Sequence, residues 1–216
     1  MTEAPFLRAT RESYDALAAA GAQLIVGGDL GELPLDRALL TAFAEWVAAA
    51  GGGTVADVGC GRGLVTRFLA DLGVDVFGVD LSPEIVALAR RTYPDLRFEV
   101  GSMLALDLPD GCLGGLLACY SIIHVPWEYR PRVFAEFHRV LAPGGQLMLA
   151  FQIGDEHRHF EELDGLPIAL DYYRQQPDQV VELLERGGFA VRVRVVREPD
   201  GMRKPPHGCV MAHKPV

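Results

Sequence analysis

Cysteine is scarce in this chain and never closely spaced. The four are Cys60, Cys112, Cys119 and Cys209, and none forms a C-x-x-C pair. That spacing argues against a zinc site and against a disulfide framework, so the sulfurs read as buried thiols in a reducing compartment. Basic residues are outnumbered, 20 Lys and Arg against 29 Asp and Glu, for a net charge of −9. A nucleic-acid partner needs a dense field of positive charge, and the basic pairs Arg90/Arg91 and Arg203/Lys204 are isolated, reading as solvated surface. Long apolar runs are missing too. The most apolar early window, Ala16 to Gly28, is Ala/Gly-rich and too short to span a bilayer. Glu3, Arg8, Arg11, Glu12 and Asp15 stand where a secretory leader needs an uninterrupted apolar stretch. The expectation is a cytoplasmic protein with no membrane and no nucleic-acid partner. No repeat, long linker or coiled-coil stripe is visible, so oligomeric state is not read from the sequence.

What is present is an alternation of short apolar runs with helical patterns, the signature of βαβ units and a mostly parallel sheet. Leu39, Leu40, Phe43 and Val47 recur at helical spacing in residues 36–50, with Asp36 as the expected N-cap and Gly51-Gly52-Gly53 as the break. Strands are expected at 54–58, 74–79, 96–100, 116–120 and 146–151. Helices are expected at 64–72, from Ser82-Pro83-Glu84 onward, at 130–141 and at 177–186. Ser82, Pro83 and Glu84 supply a cap, a first-turn proline and an early acid. No helix fits between the last two strands, 190–196 and 209–213, so they must pair as an antiparallel hairpin. Phe134 and Phe137, at helical spacing, read as core.

The chemistry concentrates in Val55-Ala56-Asp57-Val58-Gly59-Cys60-Gly61-Arg62-Gly63, where a strand turns into a helix at the ligand-binding edge of a parallel sheet. Glycines suit a turn with unusual dihedrals and close backbone approach to a ligand. The dinucleotide fingerprint is G-x-G-x-x-G. Here the spacing is G-x-G-x-G, and Asp57 stands two residues upstream, where it would repel a pyrophosphate but accept a hydrogen bond from an ammonium group. Asp80 ends the second strand in Val79-Asp80-Leu81-Ser82, at about the 20-residue interval from which a carboxylate reaches two ribose hydroxyls. Acid, three glycines and second acid together outweigh the plainer reading of a tight βα connection.

On these residues the chain resembles the class I S-adenosylmethionine-dependent methyltransferases, especially those that modify small molecules. The resemblance covers about residues 36–200. It implies one domain over 1–216, with 1–35 as a lid segment and 36–216 as a Rossmann-like core. That core would be an α/β three-layer sandwich whose seven-stranded, mostly parallel sheet ends in the antiparallel hairpin. It implies S-adenosylmethionine as cofactor and S-adenosylhomocysteine as product. Asp57 and the Gly59, Cys60, Gly61, Gly63 loop would hold the methionine portion, and Asp80 with Leu81 the ribose. Gly101-Ser102-Met103 would flank the adenine, with Ser102 where relatives often carry Asp. Tyr120 and Ser121 would face sulfonium and acceptor, and Tyr14, in Ser13-Tyr14-Asp15, would close over the methionine moiety. Leu141-Ala142-Pro143-Gly144-Gly145 matches the family's turn before the fifth strand. Cys112-Leu113-Gly114-Gly115 departs from it, lacking the usual acid before the fourth strand, which reads as a loop change.

Methyl transfer is an in-line displacement that asks the protein mainly to align the acceptor and exclude water, with a base where the acceptor carries a proton. His124, just beyond the fourth strand, is the candidate base; its alternative role is to hold the loop through a backbone carbonyl. His157, His159, Glu161 and Glu162 could suggest a metal, but read better as a polar surface loop capping the acceptor pocket, and no metal is expected. Tyr172, Tyr173, Trp127 and Tyr129 are further candidates for pocket lining. Three other functions compete. A nicotinamide oxidoreductase is disfavoured by the glycine spacing and by Asp57. A cofactor-binding protein that has lost methyl transfer is kept open by Ser102, Gly114 and Gly21. A protein or nucleic-acid methyltransferase is disfavoured by the acidic charge.

Overall fold

Residues 4–22, 30–199 and 205–216 are described by the structure, a computed structural model. The Arg203/Lys204 pair and residues 23–29 of the expected lid lie outside them. Element order is α1 (Pro5–Ala19), α2 (Pro34–Ala49), β1 (Val55–Val58), α3 (Leu64–Asp71), β2 (Val76–Asp80), α4 (Pro83–Thr92), β3 (Arg97–Val100) and β4 (Leu113–Cys119). There follow α5 (Arg130–Val140), β5 (Leu141–Gln152), β6 (His157–Leu163), β7 (Leu166–Tyr173), α6 (Pro177–Arg186), β8 (Ala190–Arg197) and β9 (His207–His213).

The main sheet has seven strands in the order β3-β2-β1-β4-β5-β9-β8. Pairing is parallel from β3 to β5, and β9 runs antiparallel to both β5 and β8, as the short β8–β9 connection requires. Alternation along the central strands feeds two cores. Leu116, Leu147, Leu149 and Val210 face one side, with Phe134 and Phe137 of α5 and Leu184 of α6. Leu117, Met148 and Met211 face the other, against Phe43 and Val47 of α2 and Leu69 of α3. The order reverses between β1 and β4, and that crevice is where an open α/β sheet takes its ligand.

Several local expectations are corrected. Asp36 is not the N-cap of α2. Leu33 is the N-cap and Pro34 the first helical residue, and Asp36 sits in that same first turn, paired with Arg197 at 2.9 Å. Pro143-Gly144-Gly145 lies within β5, whose pairing with β4 shifts register there. Gly114 belongs to β4, and a Cβ on it would stand 2.2 Å from the Gly52 carbonyl oxygen. The missing acid therefore reflects a close crossing of two backbones. Cys112 is exposed and Cys119 half-buried, so only Cys60 and Cys209 are buried thiols.

The largest departure is a second, two-stranded sheet of β6 and β7, where a polar loop was expected. Its turn is Asp164-Gly165, with φ of 51° and 79°. This is the left-handed pair that lets a two-residue turn follow strand twist. Leu170 of β7 packs with Leu17 of α1 and Ile85 of α4, all essentially inaccessible. The N-terminal segment is thus a helix clamped between this hairpin and α4.

Candidate active site

A cavity of about 310 Å³ opens at the C-terminal edge of β1, β2 and β4, under α1. Tyr14, Gly59, Cys60, Gly61, Asp80, Leu81, Ser102, Met103, Tyr120, Ser121 and His124 all line it. The volume lies at the lower end of the range for small-molecule and cofactor sites.

Backbone demands explain the glycine loop position by position. Gly59 has φ of +77°, and a Cβ there would stand 2.1 Å from Ser121 Cβ, so this glycine admits the close approach of the β4 end. Ser121 Oγ completes that crossing by donating to the Val58 carbonyl at 2.7 Å. Gly61, with φ of +55°, meets no protein atom within 4 Å of a built Cβ and faces the cavity, so it keeps the cradle open. Gly63 begins α3 with φ of +87° and packs against Phe98, away from the cavity wall.

The two acids part company. Asp80 lines the cavity, with one carboxylate oxygen accepting from Gly61 N–H at 2.9 Å and the other from Ser82 N–H at 3.0 Å. Burial pushes its pKa up, against the Ser82, Gly61 and Leu81 amides. Each oxygen retains a lone pair for a further donor. Asp57 is 1% exposed, lies beneath the loop outside the cavity lining, and accepts from Thr66 Oγ1 at 2.7 Å. Burial raises its pKa to about 7.

His124 sits at the start of the loop after β4. Its Nδ1 is 2.8 Å from the Asp171 carbonyl oxygen and its Nε2 is 2.8 Å from Tyr14 Oη. A carbonyl can only accept, so the hydrogen-bond network puts the ring proton on Nδ1, and Nε2 accepts from the phenol. Burial depresses the imidazole pKa to about 4. Tyr172 stands edge-on to the same imidazole, 4.6 Å between ring centroids. Tyr120 holds φ of 56° at the end of β4, and its hydroxyl is 2.8 Å from His207 Nδ1. A left-handed, bulky residue beside a cavity is a costly conformation that the surroundings must enforce.

Sequence reasoning expected a lid carrying Tyr14, but not that it is a helix, nor which of its other residues line the cavity. Phe6, Thr10 and Tyr14 recur every four residues along α1, with Leu7 and Arg11 on the same face, and all five line the cavity. Pro5 in the first turn and that spacing were the available signals. Asp15 fastens the roof to α4 by accepting from Ser82 Oγ at 2.5 Å and from Glu84 N–H at 3.2 Å. Ser13 Oγ fastens it to β7, accepting from Ala169 N–H at 2.9 Å. His157 and His159 both reach one oxygen of Asp171, at 2.6 and 2.9 Å, on the hairpin and outside the cavity lining. Among the described residues, no cluster of three His, Cys, Asp or Glu side chains is arranged to hold a metal ion, and no helix is long and apolar enough to cross a membrane.

Comparison with known proteins agrees with this geometry. Residues 55–145 match a methyltransferase-domain family model. The chain is 33% identical over 116 residues to malonyl-[acyl-carrier protein] O-methyltransferase of Pectobacterium atrosepticum, covering 51% of this chain and 45% of that protein. It therefore spans less than half the length of that relative. It is 31% identical over 185 residues to demethylmenaquinone methyltransferase of Beutenbergia cavernae, covering 74% of this chain and 75% of that one. The fold is shared with the 1,6-didemethyltoxoflavin-N1-methyltransferase of Burkholderia thailandensis, at TM-score 0.71 and 21% identity, over all of this chain and 92% of that one. With a cofactor-sized cavity at the reversal of strand order and a relative matched over three-quarters of its length, the chain belongs to the class I S-adenosylmethionine-dependent methyltransferases.

Proposed function

We propose that this chain transfers a methyl group from S-adenosylmethionine to a small-molecule acceptor. The observation that carries the reading is Asp80. Its carboxylate is buried at the cavity wall, oriented by Gly61 N–H and Ser82 N–H, with acceptor capacity left for a diol. The bare backbone of Gly61 leaves room beside it. In this reading Asp80 and Leu81 hold the ribose, Ser102 and Met103 flank the base, and Gly59, Cys60 and Gly61 cradle the amino-acid end. The bound cofactor supplies an electrophilic methyl group on its sulfonium.

Helix α1 excludes water from above, and Tyr14 closes the roof by donating to His124 Nε2. Neutral His124, its Nδ1–H committed to the Asp171 carbonyl, acts first as a positioning residue for Tyr14. It serves as a base toward an acceptor only where Tyr14 moves off Nε2. Asp57, outside the cavity lining, supports the loop through Thr66 and reaches a cofactor ammonium only if the loop shifts. The acceptor is taken as a small molecule because α1 roofs a cavity of only about 310 Å³; a nucleic-acid or membrane partner has no part in this reading. Four free thiols suit a reducing, cytoplasmic setting.

Calorimetric titration of the purified chain with S-adenosylmethionine and S-adenosylhomocysteine, beside Asp80→Ala and Gly61→Val, tests the proposal. Binding that both substitutions abolish is the expected result. Binding of NADH in place of either adenosyl compound would overturn it. Cofactor binding with no methyl transfer across an acceptor library would favour a cofactor-binding protein without transferase activity.

A further inference from the structure

A second cavity of about 210 Å³ lies on the α2/α3 side of the sheet and shares Cys119 and Tyr120, at the end of β4, with the first. Leu33, Leu39, Leu40, Val65 and Met148 make its surface mostly apolar. Asp36 and Arg197 also line it, but they pair with each other at 2.9 Å and together bring no net charge. At the shared wall stands a phenol–imidazole pair. His207, the first residue of β9 and 8% exposed, lines the second cavity and not the first. Its Nδ1 is 2.8 Å from Tyr120 Oη, with the two rings edge-on at 5.2 Å. The hydroxyl of Tyr120 thus meets a group of the second cavity, while the same residue also borders the first.

The first cavity, at the lower end of the usual size range, is sized for the cofactor alone, so an acceptor needs room of its own across a shared wall. Both ring nitrogens of His124 are already engaged, one by the Asp171 carbonyl and the other by Tyr14. The Tyr120–His207 pair is arranged differently. A phenol oxygen that donates to an imidazole nitrogen can accept from a further O–H, so a proton can enter on one side and leave on the other. Such a relay serves only an acceptor with a weakly acidic proton to lose. A carboxylic acid is already ionised at neutral pH, and a neutral amine attacks through a lone pair that it already holds. An aryl alcohol or enol, about as acidic as tyrosine, is the group that gains from a base during transfer.

We propose that the second cavity seats the methyl acceptor, that the acceptor is a compact, uncharged, mostly apolar aryl alcohol or enol, and that Tyr120 relays its O–H proton to His207 as the oxygen is methylated. The proposal rests on the methyltransferase reading above. The acceptor gives its proton to Tyr120 Oη while Tyr120 gives its own to His207 Nδ1. The acceptor oxygen forms the new bond to the methyl carbon with its lone pair, and the carbon–sulfur bond breaks with its electrons going to sulfur. The positive charge passes from sulfonium to imidazolium, which later releases its proton to water. Tyr120 thereby stands between acceptor and cofactor, in keeping with its enforced left-handed backbone.

The test titrates 2-naphthol, its methyl ether and 2-naphthoate into the full chain saturated with S-adenosylhomocysteine. 2-Naphthol is expected to bind about fivefold more tightly than the ether, which has no proton to donate, and about tenfold more tightly than the anion. Tyr120→Phe is expected to erase the preference over the ether. Leu39→Trp and Leu35→Trp, the second at a position 39% exposed, fill the cavity and are expected to remove all binding. With S-adenosylmethionine, 2-naphthol is expected to be methylated on oxygen, at a kcat that rises with pH as the imidazole sheds its proton. His207→Gln is expected to lower kcat about a hundredfold and to flatten that rise, with naphthol affinity nearly unchanged.

The other titratable or charged groups bordering this cavity, among the described residues, are Asp36 of α2, Arg197 of β8, Cys119 of β4 and Cys209 of β9. Burial pushes both thiols up, Cys209 to about 12, so neither changes charge near neutral pH. Asp36 and Arg197 are the same in both chains, so the difference between wild type and His207→Gln isolates the imidazole. Retained S-adenosylhomocysteine binding in each variant reports that it has folded. No binding of 2-naphthol, no preference over the ether, or a preference that survives Tyr120→Phe overturns the proposal. So does binding that survives both cavity-filling variants, bound naphthol that is never methylated, or an unchanged pH profile in His207→Gln. In each of those cases the methyltransferase reading stands, because S-adenosylhomocysteine still binds. Failure of the wild-type chain to bind S-adenosylhomocysteine overturns that reading, and the relay with it.

Discussion

Tyr14 and His124 lie 110 residues apart in the chain and share a 2.8 Å hydrogen bond across the mouth of the cofactor cavity. The bond joins the roof helix to the loop after β4. Since Nδ1 of the same ring is held by the Asp171 carbonyl, three separate elements meet at one imidazole. Tyr14→Phe removes the donor and keeps the ring. It leaves a buried Nε2 without its partner, at a cost of about 1–3 kcal/mol. S-adenosylhomocysteine is expected to bind about tenfold more weakly and to dissociate faster, because the roof opens more readily. Stopped-flow dissociation of the product analogue measures this directly. An unchanged rate would remove Tyr14 from the closure of the site.

Buried His124 and buried Asp57 bend the stability profile in opposite directions. The imidazole falls from 6.5 to about 4 in the fold, so between those values it is neutral when folded and protonated when unfolded. The unfolded chain binds more protons there, and this contribution is lost as pH falls, up to about 3 kcal/mol. Asp57 rises from 3.8 to about 7, so between those values it is protonated when folded and ionised when unfolded. Its contribution is fully present below 3.8 and is lost as pH rises toward 7, by about 4 kcal/mol. The difference in unfolding free energy between wild type and His124→Gln is therefore expected to shrink from pH 7 to pH 4. Asp57→Asn is expected to gain on wild type as pH rises over the same interval. Urea titrations at stepped pH check both, and a pH-independent difference for either variant contradicts its assignment.

Gly59 and Ser121 form a steric pair that a double-mutant cycle can isolate. Gly59→Ala meets both a φ of +77° and a contact of 2.1 Å with Ser121 Cβ. The left-handed conformation alone costs about 1–2 kcal/mol for a residue with a side chain. Displacing Ser121 adds to this and disturbs its hydrogen bond to Val58. Combining Gly59→Ala with Ser121→Gly removes the clash and leaves the backbone cost. The double variant is expected to be more stable than the sum of the singles implies, with a coupling of about 1 kcal/mol or more. Additive losses would mean that the two strands separate without resisting.

The sheet was legible because each central strand is a short apolar run closed by glycine or a polar turn, from Val55-Ala56-Asp57-Val58 to Cys209-Val210-Met211-Ala212. Asp80 and the glycine loop were legible because their spacing is set locally, by one βαβ unit. What spacing could not convey is depth. Asp57 sits two residues from Gly59, yet strand alternation turns it under the loop toward Thr66. The helical form of the lid and the β6–β7 hairpin were hidden for a different reason. Their faces are apolar only every second or fourth residue, and they become coherent only when Leu17, Ile85 and Leu170 meet from three distant segments. Asp164-Gly165 was the one local clue, a strong turn dipeptide with Phe160 and Leu163 before it and alternating Leu166, Ile168 and Leu170 after it.

The hairpin turn yields the last prediction. Gly165 holds φ of +79° with open space around it, so a substitution there is penalised by backbone conformation and not by contact. Gly165→Val adds a β-branched side chain to a left-handed position and opposes the turn. The hairpin carries the Asp171 carbonyl that binds His124, the Ala169 amide that binds Ser13, and Leu170 against Leu17. Loosening the turn therefore reaches the roof without touching the cavity. Gly165→Val is expected to speed amide exchange along β7 and α1 and to weaken S-adenosylhomocysteine binding, while β1, β4 and β5 keep their protection. Asp164→Asn, which tolerates the same left-handed backbone, is expected to leave both readouts unchanged. Exchange that rises equally in the central sheet would show the hairpin to be part of one cooperative unit with it. Exchange confined to the turn would show that α1 is held by Asp15 and Tyr14 alone.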